Sequence, residues 1–220
     1  MAATIKFGTS GWRSLIAEDF TFANVRRAVT GIAKYVTSVK PDGARVIVGR
    51  DPRFLGEQFT SIAADVLADH GITPMLIAEP APTPAISYEV IRSKADGAIN
   101  ITASHNPPEY NGLKFSTPDG APALPEVTKK IEASVPGEDP DPNAAAPGPK
   151  PRSPKVKSAD PKPEYLKRLG EVIDLQTIKK SGMKIVFDPF WGAARGYSDE
   201  LLRNAGIEVA TVHDYRDVMF

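Results

Sequence analysis

An α/β architecture is what this sequence predicts: a three-layer domain with a mixed sheet covered by helices, followed by the start of a second, similar α/β domain. Three observations carry that expectation. Short β-branched runs, such as the Val-Ile-Val core of residues 45–49, alternate along the chain with longer stretches of helical period. The strand–helix–strand order then resumes after a proline-rich interruption. With 220 residues, 41% apolar and 25% charged, the chain has an ordinary globular composition and enough length for one large domain or one domain and part of another.

The elements follow in order. Residues 22–36 carry Val25, Ala28, Val29, Ile32 and Val36 at helical spacing, with Thr21 as N-cap. Residues 45–49 read as a strand. Residues 54–70 repeat the helical period through Phe59, Ile62, Ala63, Val66 and Leu67, and Gly71 supplies the stop. Residues 74–78 form a short strand, 85–94 a helix begun at Pro84, 97–102 a strand, 113–116 another strand and 125–135 a short closing helix. Nine of the 21 prolines then fall between Pro136 and Pro163. Proline lacks a backbone donor and fixes φ, so this stretch cannot pack as helix or central strand. We read 1–140 as the first domain, 141–163 as a semi-rigid linker or extended crossing, and 164–220 as part of a second domain. There, 165–173 and 195–205 read as helices, and 183–187 and 207–212 as strands. The pattern breaks off at Phe220 with too few strands to close a sheet, so the sequence reads as a fragment or as a fold that something else completes.

Several function classes drop out on composition. Lys plus Arg equals Asp plus Glu at 27 each, which leaves no global basic field for nucleic acid or an anionic membrane. There are no cysteines, which removes disulfides, thiol catalysis and zinc-cysteine sites and fits a reducing cytoplasm. The N-terminus does not read as a signal peptide, and no apolar run is long enough to span a bilayer.

Three loop segments can carry chemistry. In Phe7-Gly8-Thr9-Ser10-Gly11-Trp12-Arg13, two glycines around hydroxyl residues let the backbone approach a ligand, and Arg13 can grip an oxyanion. Gly49-Arg50-Asp51-Pro52-Arg53 ends a buried strand, where open α/β sheets gather ligands; its arginines suit a phosphate or carboxylate, and Asp51 can equally pair with one of them as a structural clamp. In Thr102-Ala103-Ser104-His105-Asn106-Pro107-Pro108, a serine follows another buried strand on a rigid loop. A serine hydroxyl needs a base or cation to act as a nucleophile. His105 is adjacent, which ordinarily points its ring away from Ser104, and no Gly-x-Ser-x-Gly elbow surrounds the serine. The residues alone leave a functional serine and an ordinary turn residue both open. His70 and His213 read as structural, which disfavours a hydrolase triad.

TASHNPPEYNGLK resembles the phosphoserine loop of the α-D-phosphohexomutases, the phosphoglucomutase/phosphomannomutase family. FGTSGWR resembles that family's N-terminal motif, GRDPR its strand-end arginine motif, and Pro82-Thr83-Pro84-Ala85 the loop ahead of its next helix. The four occur in the family's order, and MKIVFDPFWGAARGYSDELLRNAGIEV resembles the opening of its second domain. The resemblance implies reversible interconversion of hexose 1-phosphate and hexose 6-phosphate, glucose or mannose, through a phosphoserine and a sugar 1,6-bisphosphate. It implies Ser104 as phosphoryl carrier, His105 and Lys114 for proton transfer and phosphoryl contact, and Arg13 as support. Thr9, Ser10 and Asn106 are implied phosphate or substrate contacts, with Arg50 and Arg53 as weaker ones that can instead buttress the loop. It implies Mg²⁺, met here only through the phosphate of Ser104, and glucose 1,6-bisphosphate as activator. The family's Asp-Gly-Asp-x-Asp-Arg cluster is absent from this sequence, as are its third and fourth domains. An N-terminal portion inactive by itself is therefore expected, with a non-catalytic sugar-phosphate-binding relative as the alternative. Ser10 and Trp12 resemble the hexose-phosphate branches more than the glucosamine-phosphate branch. A phosphosugar is the expected partner, and a chain cut within a domain is expected to self-associate through exposed apolar surface.

Overall fold

The computed structural model describes residues 4–8 and 11–219. Its first unit runs β1 (Trp12–Leu15), α1 (Phe22–Val39), β2 (Arg45–Arg50), α2 (Gly56–Asp69), β3 (Thr73–Ile77), α3 (Thr83–Ser93), β4 (Ala98–Ile101), β5 (Tyr110–Ser116) and α4 (Pro125–Ala133). After the proline-rich stretch come β6 (Lys157–Ala159), α5 (Lys162–Val172), α6 (Leu175–Lys180), β7 (Ile185–Phe187), α7 (Ser198–Asn204) and β8 (Val209–Thr211). Six strands form one mixed sheet in the order β1-β5-β4-β2-β3-β6. The pairings among β4, β2, β3 and β6 are parallel, and β5 is antiparallel to both β4 and β1.

Side-chain alternation explains the layers. Successive residues of a strand face opposite sides. Val46 and Val48 of β2 enter the core beneath α1 and α2, while Ile47 between them enters the core beneath α3. Ile99 and Ala98 of β4 divide the same way. A strand buried on both faces reads as the continuous apolar run seen in the sequence.

Local signals fix the helix ends. The Asn24 N–H donates to Thr21 Oγ1 at 3.2 Å, which caps α1 as its sequence predicts. Gly71, at φ 77°, terminates the α2 region, and the Ile72 N–H returns to Leu67 O at 3.0 Å. The start of α2 is later than expected: Leu55 sits in the left-handed region at φ 59°, so Phe54 lies outside the helix.

Three elements were not legible. Trp12–Leu15, read as part of a glycine-rich loop, is a strand, because its backbone pairs with β5 from Leu113 to Tyr110. Lys157–Ala159, inside the proline-rich stretch, pairs with β3 as an edge strand, where proline neighbours are tolerated. The short helix Leu175–Lys180 is capped by Asp174, whose carboxylate accepts from Thr177 N at 3.0 Å.

The proline-rich stretch is docked against the first unit. Arg26 and Asp139 form an ion pair, and the Asp65 carboxylate accepts from the backbone N–H of Arg152 at 2.9 Å and of Ser153 at 2.8 Å. Beyond it, β7 and β8 form a two-stranded parallel sheet, with Val186 69% and Phe190 69% exposed.

Candidate active site

The site is built where β2 and β4 end side by side. They are parallel neighbours whose continuations diverge, β2 into α2 and β4 into the hairpin with β5. Such a divergence opens a crevice at the carboxyl edge of a sheet. Residues 102–109 cross that crevice between β4 and β5, and Ser104 and His105 are exposed upon it.

The loop is held from within by Arg53. This guanidinium is fully buried. It donates to Ser104 O at 3.0 Å, Asn106 O at 2.6 Å, Pro107 O at 2.8 Å and Tyr110 O at 3.1 Å, and pairs with Asp51 at 3.2 Å. A rigid fork of donors suits several carbonyls arrayed around one point, which an ammonium cannot match. The expectation of Arg53 as a phosphate contact is thus corrected: its donors face loop carbonyls and Asp51. Arg50 takes no part in this clamp. Its Nη2 donates to Ala78 O at 2.9 Å and meets Glu57 at 3.0 Å, away from the serine. The clamp reading of Asp51 with Arg53 is the one the structure bears out.

Asp51 also accepts from Thr102 Oγ1 at 2.6 Å, and Thr102 Oγ1 accepts in turn from the Ser104 N–H at 3.0 Å. The chain Arg53–Asp51–Thr102–Ser104 therefore ties the end of β2 to the serine backbone. Burial pushes the Asp51 carboxyl up, against the opposing pull of the Thr102 hydrogen bond and Arg53. Ser104 itself lies at φ 58°, a conformation unfavourable for a residue with a Cβ and held by its surroundings. This backbone turn corrects one expectation. The His105 ring does not point away: its Nδ1 lies 3.4 Å from Ser104 Oγ, longer than a strong hydrogen bond but facing the hydroxyl.

Two cations flank the loop. Arg13 sits on β1 opposite Gly112 of β5, and its Nη1 donates to Asn106 Oδ1 at 2.9 Å. Lys114 lies two residues along β5, paired with Asn100 of β4. Burial, and then the charge of Arg13, lower the Lys114 pKa; Asp51 acts in the opposite sense. The backbones beside both residues approach closely. A Cβ on Gly112 would stand 2.5 Å from Thr102 O and 2.9 Å from Arg13 Cγ. A Cβ on Gly11, at φ 107°, would stand 2.5 Å from Leu113 O and 2.9 Å from Lys114 Cγ. The Pro82–Ala85 segment connects here as well, since Thr83 Oγ1 accepts from Asn100 Nδ2 at 2.9 Å.

Thr9 and Ser10 lie outside the described residues. Thr102 is the residue sequence reasoning missed; a hydroxyl closing a buried strand two positions before the serine is the only signal that marked it. His70 Nδ1 is bonded to Val66 O at 2.8 Å, and His213 pairs with Asp188 at 2.9 Å beside Trp191, so each has a local structural partner. Among the described residues no group of three or more His, Asp or Glu side chains could hold a metal ion. A phosphoryl group on Ser104 would be the one ligand this site could bring to a divalent cation.

Comparison with known proteins gives the family. Residues 4–141 match the family described as phosphoglucomutase/phosphomannomutase, alpha/beta/alpha domain I. A phosphoglucosamine mutase of Corynebacterium aurimucosum is 33% identical over 216 residues, covering 94% of this chain and 46% of that protein. A phosphoglucomutase of Staphylococcus saprophyticus is 36% identical over 134 residues, covering 60% of this chain and 24% of that one. Among solved structures, a "putative phosphomannomutase" of Thermus thermophilus superposes with a TM-score of 0.87 at 32% identity, covering 100% of this chain and 48% of its own. The phosphoglucomutase-related parafusin of Paramecium, at 21% identity and TM-score 0.82, shares the fold. The chain spans about half the length, or less, of the curated relatives it matches. On the match across residues 4–141, the chain belongs to the phosphoglucomutase/phosphomannomutase family.

Proposed function

We propose that this chain carries the phosphoryl-transfer domain of a phosphohexomutase, interconverting hexose 1-phosphate and hexose 6-phosphate through a phosphorylated Ser104 and a sugar 1,6-bisphosphate. The observation that carries the proposal is an exposed serine at φ 58°, on a loop fixed by one buried arginine and bonded to Arg13, with Lys114 close enough to Arg13 and Asp51 to feel their charges. Phosphoryl transfer asks mainly for in-line placement and balanced charge, and a fixed loop between two cations supplies both.

In the proposed cycle a free sugar hydroxyl attacks the phosphorus on Ser104. The new P–O bond to the sugar forms as the P–Oγ bond breaks, the hydroxyl proton leaves to a base, and Oγ takes up a proton. After the bisphosphate turns over, its other phosphate returns to Oγ by the reverse exchange. His105, whose ring faces Oγ, moves the proton there. Lys114, its pKa lowered, serves as a second proton carrier or phosphoryl contact, and Arg13 balances the charge that develops on the phosphoryl oxygens. Mg²⁺ would neutralise charge on that group when bound, with glucose 1,6-bisphosphate as the activating phosphoryl source.

The division into a first domain over 1–140, a connecting stretch over 141–163 and part of a second domain over 164–220 belongs to the same proposal. So does a lack of turnover by this chain alone, in the cytoplasm. Among the described residues no helix is long and apolar enough to cross a membrane. The exposed apolar side chains on β7 and the following loop support self-association, which sedimentation over a concentration range tests: a concentration-independent monomer refutes it.

The testing experiment is intact mass and phosphopeptide mapping before and after incubation with glucose 1,6-bisphosphate. Phosphate appearing on Ser104, or chased from it by the sugar, supports the reading. No label on Ser104 in this chain or in any longer chain containing it refutes catalysis and favours a non-catalytic sugar-phosphate binder. A panel of glucose, mannose and glucosamine 1-phosphates as chasing substrates identifies the sugar; glucose or mannose is the expectation.

A further inference from the structure

The carboxyl ends of β2 and β3 border a second cleft, with a volume of about 460 Å³. Its cationic walls are Arg50 of β2, Lys150 of the proline-rich stretch, Arg195 ahead of α7 and Arg216 beyond β8. No residue of the loop 102–109 lines it. Against those four positive side chains stand two carboxylates, Glu57 and Glu79, which leaves a surplus of two positive charges. Glu57 is already engaged, 3.0 Å from Arg50 Nη2 and 2.9 Å from Arg216 Nη1.

Two of the guanidinium nitrogens in these walls are buried without a hydrogen-bond partner: Arg50 Nη1 and Arg195 Nε. The Arg50 side chain is only 5% exposed. A buried donor that lacks an acceptor forfeits its hydration, so folded proteins keep few of them and each calls for an explanation. The Thr60 hydroxyl lines the cleft and donates to Gly56 O, and neither orphan nitrogen bonds to it. An acceptor from outside the chain can. A phosphate dianion matches the charge surplus, and its several oxygens can meet guanidinium donors arriving from different segments.

We propose that this cleft is a binding site for a phosphate group, separate from the Ser104 loop. Its walls come from residues 50–80 and from residues 150, 195 and 216, so the bound anion would also hold the later segments against the edge of the first sheet.

The test is a nuclear magnetic resonance titration of the 220-residue chain with inorganic phosphate, following arginine Nε–H signals at constant ionic strength. The expected result is a saturable shift of the Arg195 signal that persists in Arg13→Gln, where the Ser104 site is impaired. Lys150→Gln, read at Arg195, is expected to weaken binding about tenfold, the order of one charge-assisted contact. No saturable shift, an equal response to chloride, or loss of the response in Arg13→Gln would each overturn the proposal. A parallel titration with glucose 1-phosphate separates sources: an equal response means that the cleft accepts a phosphate ester, and a response to inorganic phosphate alone means that it accepts the free ion. Because the Ser104 reading is tested by covalent labelling, either result can stand while the other fails.

Discussion

Replacing Arg53 by Met should loosen the serine loop while leaving the sheet beneath it assembled. Arg53 donates to the carbonyls of Ser104, Asn106, Pro107 and Tyr110 and pairs with Asp51, whose side chain is 14% exposed. Leaving a buried polar group unpaired costs about 1–3 kcal/mol, and removing one partner of a buried ion pair costs about 3–5 kcal/mol. These do not add. Ser104, His105, Pro107 and Glu109 are exposed, so the loop can move and let water reach its carbonyls. The net loss expected is about 3–5 kcal/mol, most of it from the stranded Asp51. For a chain of this size that is a fall in Tm of about 10 °C. Amide hydrogen exchange supplies the local readout. The N–H groups of Asn106 and Tyr110 now donate to Ala103 O and Pro107 O, and both should lose protection. Arg53→Lys should recover only part of the stability, because one ammonium cannot serve four carbonyls. Adding Asp51→Asn to Arg53→Met should recover more, because it removes the unpaired charge. A loss below about 1 kcal/mol, the worth of one ordinary hydrogen bond, with both amides still protected, would refute the keystone role of Arg53.

Other outcomes follow from the same geometry. Arg13→Gln should raise the Lys114 pKa and Asp51→Asn should lower it further, as read from the lysine Cε and Nζ resonances; shifts of the opposite sign would break the link among the three groups. Because folding holds Lys114 below its ordinary value of 10.5, the unfolded chain binds the extra proton, so this residue makes stability rise with pH from the lowered pKa up to 10.5; denaturant titrations in that window should show the rise diminished in Lys114→Met. Ser104→Gly should abolish phosphoserine labelling yet raise stability by about 0.5–1 kcal/mol, since glycine accepts φ 58° without a Cβ clash and loses part of that gain in chain entropy; a less stable variant would contradict the strain at Ser104. Gly112→Ala should destabilise the fold by about 1–3 kcal/mol by forcing β5 away from β1 and from Thr102, and an unchanged melting temperature would contradict the close approach. Asp65→Ala should expose residues 140–150 to limited proteolysis, because Asp65 accepts the backbone N–H groups of Arg152 and Ser153; equal cleavage in both proteins would show that the stretch is held elsewhere.

Much of the framework was legible because it depends on short-range rules. The period of Val25, Ala28, Val29, Ile32 and Val36 requires a helix with one buried face, and Thr21 marks where it begins. Ile47 and its valine neighbours mark a strand buried on both sides, and two such strands place their following loops at one sheet edge. The order of the loop motifs identified the family, and Ser104, His105, Arg13 and Lys114 were named from it. Illegible were the elements whose existence depends on a distant partner. Trp12–Leu15 is a strand because β5 supplies its hydrogen bonds, and Lys157–Ala159 because β3 does.

The sequence by itself determined the fold class, the family and the candidate residues, since periodicity, capping and motif order are written in neighbouring positions. Only the tertiary structure decided what the arginines do. GRDPR reads the same whether its guanidinium groups face a ligand or the chain. Folding buries Arg53 among four carbonyls of a loop more than 50 residues away, directs Arg50 to Ala78 and Glu57, and turns His105 toward Ser104 by holding one backbone angle positive. Those choices depend on which polar groups lose water together when the strand ends meet, and burial of that kind exists only in the assembled fold.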